Sequence, residues 1–181
     1  MELVRIGEKL ISVTKIHNMV QEVLQARGQG LSQSEVAQRF GVDRTFVSRL
    51  EAVGEIRKGR SIAVIGFPVA NTEAVGSLCR ELGVDFCWVM TDAERRDYAQ
   101  SRNGIEIINE LMTTARTLRT YDAVVLLASN TRLRLMEALL DSATVVPIVL
   151  GETPLTRDVP VDLDVLGKVI RGIRPLSAGE P

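Results

Sequence analysis

Residues Leu31 to Glu51, LSQSEVAQRFGVDRTFVSRLE, constrain the local fold more tightly than any other stretch of this chain. Ser32 stands where a helix N-cap is favoured, and Glu35, three residues on, completes a capping-box pattern. Val36 and Phe40 share one helical face, with Ala37 beside them. Gly41 ends that helix at little steric cost, because a residue without Cβ enters the left-handed region freely. Asp43 is a favoured cap for a second helix, whose apolar stripe is Val47 and Leu50. The small Ala37 lets the two helices cross closely. Each signal is weak alone. In register, they predict a helix-turn-helix, the unit that seats a short helix in the DNA major groove.

Upstream, Val13, Ile16, Val20, Val23 and Leu24 recur at three- and four-residue spacing, which predicts a helix ended by Gly28 and Gly30. An all-α helix-turn-helix domain over residues 1–56 follows, with a basic linker at 57–60.

The periodicity changes at Ser61. Ile62–Phe67, Phe86–Met90, Ala123–Ala128 and Val145–Leu150 are short apolar runs of the kind that form buried strands. Helical spacing separates and follows them: Val75, Leu78, Cys79 and Leu82; then Ile105, Ile108, Met112 and Ala115; then Leu133, Met136 and Leu140; then Leu163, Leu166, Val169, Ile170 and Ile173. Strands alternating with helices predict an α/β domain over 61–174, a parallel sheet covered on both faces. The first and third runs are the most uniformly apolar and belong in the middle. The strand order expected is 2-1-3-4, a Rossmann-like, flavodoxin-like arrangement. Pro147 marks the fourth run as an edge. Residues 175–181 read as a frayed tail.

Ser32-Gln33, Glu35, Ala37, Gly41-Val42 and Val47-Ser48-Arg49-Leu50-Glu51 resemble the lambda-repressor-like (XRE) helix-turn-helix regulators of bacterial transcription. The resemblance covers the N-terminal third. It stops after Glu51, where that family continues with further helices and this chain runs through Gly54 and a basic stretch into its first strand. The resemblance implies double-stranded DNA as partner, with Arg44, Thr45, Ser48 and Arg49 on the exposed face of the second motif helix reaching base edges. Arginine bonds guanine O6 and N7 together, and hydroxyls adapt to several bases. Gln33, at the head of the preceding helix, suits a phosphate. Arg57, Lys58 and Arg60 read either as backbone contacts beside the groove or as a solvated linker.

Charge supports the division. Residues 1–60 hold ten Lys/Arg against seven Asp/Glu, and residues 61–181 hold twelve against sixteen. A mildly basic head on an acidic body suits a DNA-binding module attached to a domain with another task. So small an excess binds DNA weakly in one copy, so a homodimer or larger two-fold assembly reading two half-sites is expected.

In an open parallel sheet, ligands sit beyond the C-terminal strand ends where the strand order reverses. Here that crevice is bordered by Gly66 and Asn71 after the first strand and by Ser129, Asn130 and Thr131 after the third. These residues suit a small polar or anionic effector, helped by two helix N-termini, or serve as ordinary helix caps. A dinucleotide needs more glycine than Gly66 alone provides, and Pro68 removes an N–H where a pyrophosphate would approach. No cofactor is expected. Asp92 stands where an acid can hold a ribose, but Thr91-Asp92-Ala93-Glu94 also fits a capping box. Arg95, Arg96 and Arg102 lie in a polar stretch that reads as a basic lid or as a solvated helix or loop. Cys79 and Cys87 read as buried packing residues and supply no metal spacing.

The only histidine, His17, lies in the N-terminal helix. The α/β domain therefore offers no Ser–His or Cys–His pair, and no enzyme is expected. No apolar run approaches the ~20 residues of a membrane span. MELVRIGEKL lacks a signal-peptide pattern, so a cytoplasmic protein is expected. Two other readings stay open: a nucleotide or sugar-phosphate enzyme carrying a regulatory DNA-binding head, and a structural module that oligomerises or recruits a partner.

Overall fold

Gly7, at φ +59°, turns the chain back on itself so that β1 (Leu3–Ile6) pairs antiparallel with β2 (Lys9–Ser12), Ile6 opposite Lys9. The N-terminal unit is therefore not all-α. The two-residue loop Gly7-Glu8, glycine first, favours a mirror-image hairpin turn, and helical spacing begins only at Val13. The computed structural model describes residues 2–55, 59, 61–140 and 144–174. Arg57, Lys58, Arg60 and the segment 175–181 lie outside the described residues.

The chain divides into two units, 1–55 and 56–181. In the first, the hairpin leads into α1 (Val13–Gly28), α2 (Gln33–Phe40) and α3 (Arg44–Gly54). Val23 and Ala26 of α1, Val36 and Ala37 of α2, and Val47 of α3 form its buried core, with Leu31, Phe40, Val42 and Leu50 packed at the margin. Gly41 stands between α2 and α3 at φ +65°, where a side chain is strained.

The second unit is a four-stranded sheet with every pairing parallel: β3 (Ile62–Gly66), β4 (Phe86–Val89), β5 (Ala123–Ser129) and β6 (Val145–Gly151), in the order β4-β3-β5-β6. β3 and β5 are buried along their whole length and occupy the centre. Pro147 lies in β6, at an edge, where a missing N–H costs the ladder little. The helices are α4 (Thr72–Glu81), α5 (Asp92–Gln100), α6 (Gly104–Leu118), α7 (Asn130–Leu139) and α8 (Leu163–Ile173). On one face Ile62, Val64, Val125 and Leu127 meet Val75 and Cys79 of α4 and Leu166, Ile170 and Ile173 of α8. On the other, Ala63, Ile65, Val124 and Leu126 meet Leu133 of α7, Leu140, and Leu118 at the end of α6. Strand alternation thus feeds two separate cores from one sheet.

The polar stretch after β4 is a helix, α5, entered through a capping box: Glu94 N–H donates to Thr91 Oγ1 (3.1 Å) and Thr91 N–H donates to the Glu94 carboxylate (2.7 Å). Cys79 is buried, but Cys87 is exposed. Cys87 belongs to the edge strand β4, at the margin of the helical cover. No helix among the described residues is long and apolar enough to cross a membrane.

Candidate functional site

In the first unit the N-terminal end of α2 and the body of α3 are held in fixed relation. Ser32 Oγ accepts from Glu35 N–H (3.3 Å), and the Glu35 carboxylate accepts from Ser32 N–H (2.7 Å). Hydrogen bonding from the Ser32 side chain, and then from its backbone N–H, holds the Glu35 carboxyl below its ordinary range. Asp43 occupies the N-cap position of α3, but its side chain makes no cap bond; its carbonyl accepts from Phe46 and Val47 instead.

A polar brace then ties the three helices. The Gln33 side-chain amide donates to Glu51 (2.8 Å), Arg27 of α1 pairs with the same carboxylate and also donates to the Leu31 carbonyl, and Arg44 Nε donates to the Gln33 side-chain carbonyl (3.4 Å). The Arg27 guanidinium, and then Gln33, hold the Glu51 carboxyl below its usual range. Gln33 is thus joined to Glu51 and Arg44, a role its position at a helix head did not announce. Arg44, Thr45, Ser48 and Arg49 are all exposed on α3, while Val47 on the opposite side is fully buried. Two guanidinium groups and two hydroxyls on one open helical face suit a polyanion with hydrogen-bonding edges.

In the second unit, the crevice beyond the C-terminal strand ends is crossed by the chain's own strap, residues 152–162, between β6 and α8. The Thr153 hydroxyl donates to Ser129 Oγ (2.8 Å), and Thr153 N–H donates to Asn130 Oδ1 (3.1 Å). Val159 bridges to Val69 in parallel, and Asp158 accepts from the N–H of Asp92 (2.7 Å). Asn71 clamps the far end: its Nδ2 donates to the Val161 carbonyl (2.9 Å) and its Oδ1 accepts from Val161 N–H (2.8 Å). Neither Asn71 nor Ser129 caps its helix through the side chain.

Gly66 has a packing reason. A Cβ there would lie 2.6 Å from Cβ of Leu127 on the neighbouring strand. Thr131 is exposed, and its N–H donates to Asn130 Oδ1 (2.7 Å). The five residues at the crevice therefore divide: Asn71, Ser129 and Asn130 hold the strap, Gly66 admits Leu127, and Thr131 stands at the rim.

The arginines of α5 do not form a loose lid. Asp92 pairs with Arg95 and Arg96, each at 2.5 Å, and these guanidinium groups hold its carboxyl low. Arg102 stacks on Tyr98 (3.8 Å to the ring centre) and pairs with Glu110 (2.9 Å). Arg132, which the sequence did not single out, lies over Phe67 (5.1 Å). Burial lowers its pKa, and the nearby charge of Arg95 lowers it further. Between α5 and the strap is an open concavity of about 550 Å³ bordered by Asp92, Arg96, Asp97, Gln100, Arg157 and Asp158. Its charges are mixed, and nothing in it favours one sign of ligand. No group of three His, Cys, Asp or Glu side chains among the described residues is placed to hold a metal ion. No protein-family model, curated protein or solved structure matches this chain.

Proposed function

We propose that the chain is a sequence-specific, double-stranded DNA-binding regulator of transcription: a helix-turn-helix head followed by a Rossmann-like domain that assembles two heads. The observation that carries this reading is the open face of α3. Arg44, Thr45, Ser48 and Arg49 are exposed on a helix whose other side is locked by Val47 and by the brace from Glu51 to α1 and α2. A recognition helix must offer donors outward and be held rigidly from behind, because base readout depends on geometry within a fraction of an ångström. The likeness of Ser32 to Glu51 to lambda-repressor-like regulators agrees with it. The weakly basic head argues for two copies reading half-sites about one helical turn apart.

The strap favours assembly over ligand capture as the task of the second unit. Asn71, Ser129 and Asn130 already have partners within the chain, so an effector bound there would have to displace residues 152–162. Selection of random double-stranded DNA by the purified chain tests the reading. A motif should emerge, and Arg49→Ala should weaken binding to it by about 1–3 kcal/mol and relax preference at one base position. Recovery of no motif at low salt, from folded protein, would overturn it.

A further inference from the structure

Helix α6 is amphipathic in the wrong direction for a helix that only covers its own sheet. Leu118 is its one fully buried residue, whereas Ile105, Ile108, Leu111 and Met112 are 74, 62, 58 and 71% exposed. Ile105, Ile108 and Met112 recur at i, i+3 and i+7, the spacing of a helix–helix seam. The polar flank is already satisfied: the Thr113 hydroxyl donates to the Asn109 carbonyl (2.9 Å) and the Thr117 hydroxyl to the Thr113 carbonyl (3.0 Å). Covering that flank strands no hydroxyl. Arg119, just past α6, donates to the Leu139 carbonyl (2.7 Å) at the end of α7. That helix belongs to the same layer and adds exposed Leu135 and Leu139.

We infer that α6 is the homodimer seam of this protein, packing antiparallel against α6 of a second copy across a two-fold axis near Leu111 and Met112. Three features select a second copy. Antiparallel pairing sets the opposite dipole ends of the two helices side by side. Leu111 and Met112 lie between Ile105 and Ile108 on one side and Leu135 and Leu139, held near the C-terminal end of α6 by the Arg119–Leu139 bond, on the other, so two-fold rotation there lays one half of the patch on the other, as an isologous interface requires. Six large apolar side chains at roughly 100 Å² each give about 600 Å², most of the ~800 Å² per partner that a stable interface buries. The inference deepens the proposed function by naming the surface that joins two heads, but it rests on the faces of α6 and not on DNA recognition.

The test uses the full chain. Sedimentation of the wild type should give a dimer, and Ile108→Glu with Met112→Glu should give a monomer whose far-ultraviolet circular dichroism is unchanged. If the charged pair unfolds the protein, a second arm decides. In a Cys87→Ser background, Met112→Cys should form an intermolecular disulfide under mild oxidation in high yield, whereas Glu73→Cys on α4 should not. A monomeric wild type, a dimer that survives the charged pair, or equal cross-linking from Met112→Cys and Glu73→Cys would overturn the inference. Failure of the DNA reading is distinct: the dimer would persist while random-sequence selection recovers no motif.

Discussion

At the scale of single residues, the side chains that govern this protein are those with two partners. Glu51 receives Arg27 and Gln33, and these bonds keep its carboxyl below the ordinary value of 4.5. The folded pKa is depressed, so the stability that Glu51 contributes is complete above the unfolded value and is lost as pH falls through the folded one. Glu51→Gln should therefore flatten the acid limb of the stability curve of the head below about pH 4.5, read by circular dichroism across a pH series. In wild type, the Glu51 carboxyl should titrate in an NMR series below free glutamate. Asn71 is the counterpart in the α/β unit. Asn71→Ala removes both bonds to Val161 and leaves that backbone unpaired. It should cost about 2–3 kcal/mol in chemical denaturation, the loss of two partly buried bonds and the groups they satisfied. Were Asn71 only a ligand-binding residue, the same change would leave stability untouched.

At the scale of elements, most of what the chain builds was legible, and the exceptions have physical causes. Capping, spacing and glycine place α2, the turn and α3, and apolar runs place all four strands of the parallel sheet. The hairpin β1–β2 escaped because its strands are four residues each, β1 exposed throughout and β2 half-buried only at Ile11 and Ser12, so no alternation marks it; Gly7-Glu8 was the one available signal. Asp43 reads as a cap from sequence because position alone is visible there, while the missing side-chain bond depends on its rotamer. The strap was not legible either: Asn71, Ser129 and Asn130 have the residue types of both ligand contacts and helix caps, and only long-range geometry assigns them to Val161 and Thr153. The caps give a direct comparison. Ser32→Ala should destabilise the head by about 1 kcal/mol, and Asp43→Ala by distinctly less, in parallel thermal melts. Equal losses would contradict the observed bonding.

At the scale of the whole molecule, the proposed function links charge and assembly through salt. Each head has only a few cations for phosphate, and each phosphate neutralised adds about 0.9 to the slope of log affinity against log salt on duplex DNA. A dimer engaging two half-sites should show about twice the slope of a monomer. Fluorescence anisotropy on one selected duplex, with wild type and with the Ile108→Glu, Met112→Glu chain, measures that ratio. An unchanged slope would mean that one head alone contacts the duplex.

The strap also sets an order of events during synthesis. Asn71 waits for Val161, ninety residues later, and Asp92 waits for Asp158, sixty-six later. Contacts so distant in sequence form late, since the intervening chain must be ordered before they contribute. On the ribosome, the N-terminal head has every partner it needs once Glu55 has emerged, and domains fold as units in that order. The sheet, by contrast, has its C-terminal edge open until almost the last helix is made. Between the emergence of Glu55 and that of α8, the nascent protein is thus a finished head tethered to an unfinished sheet.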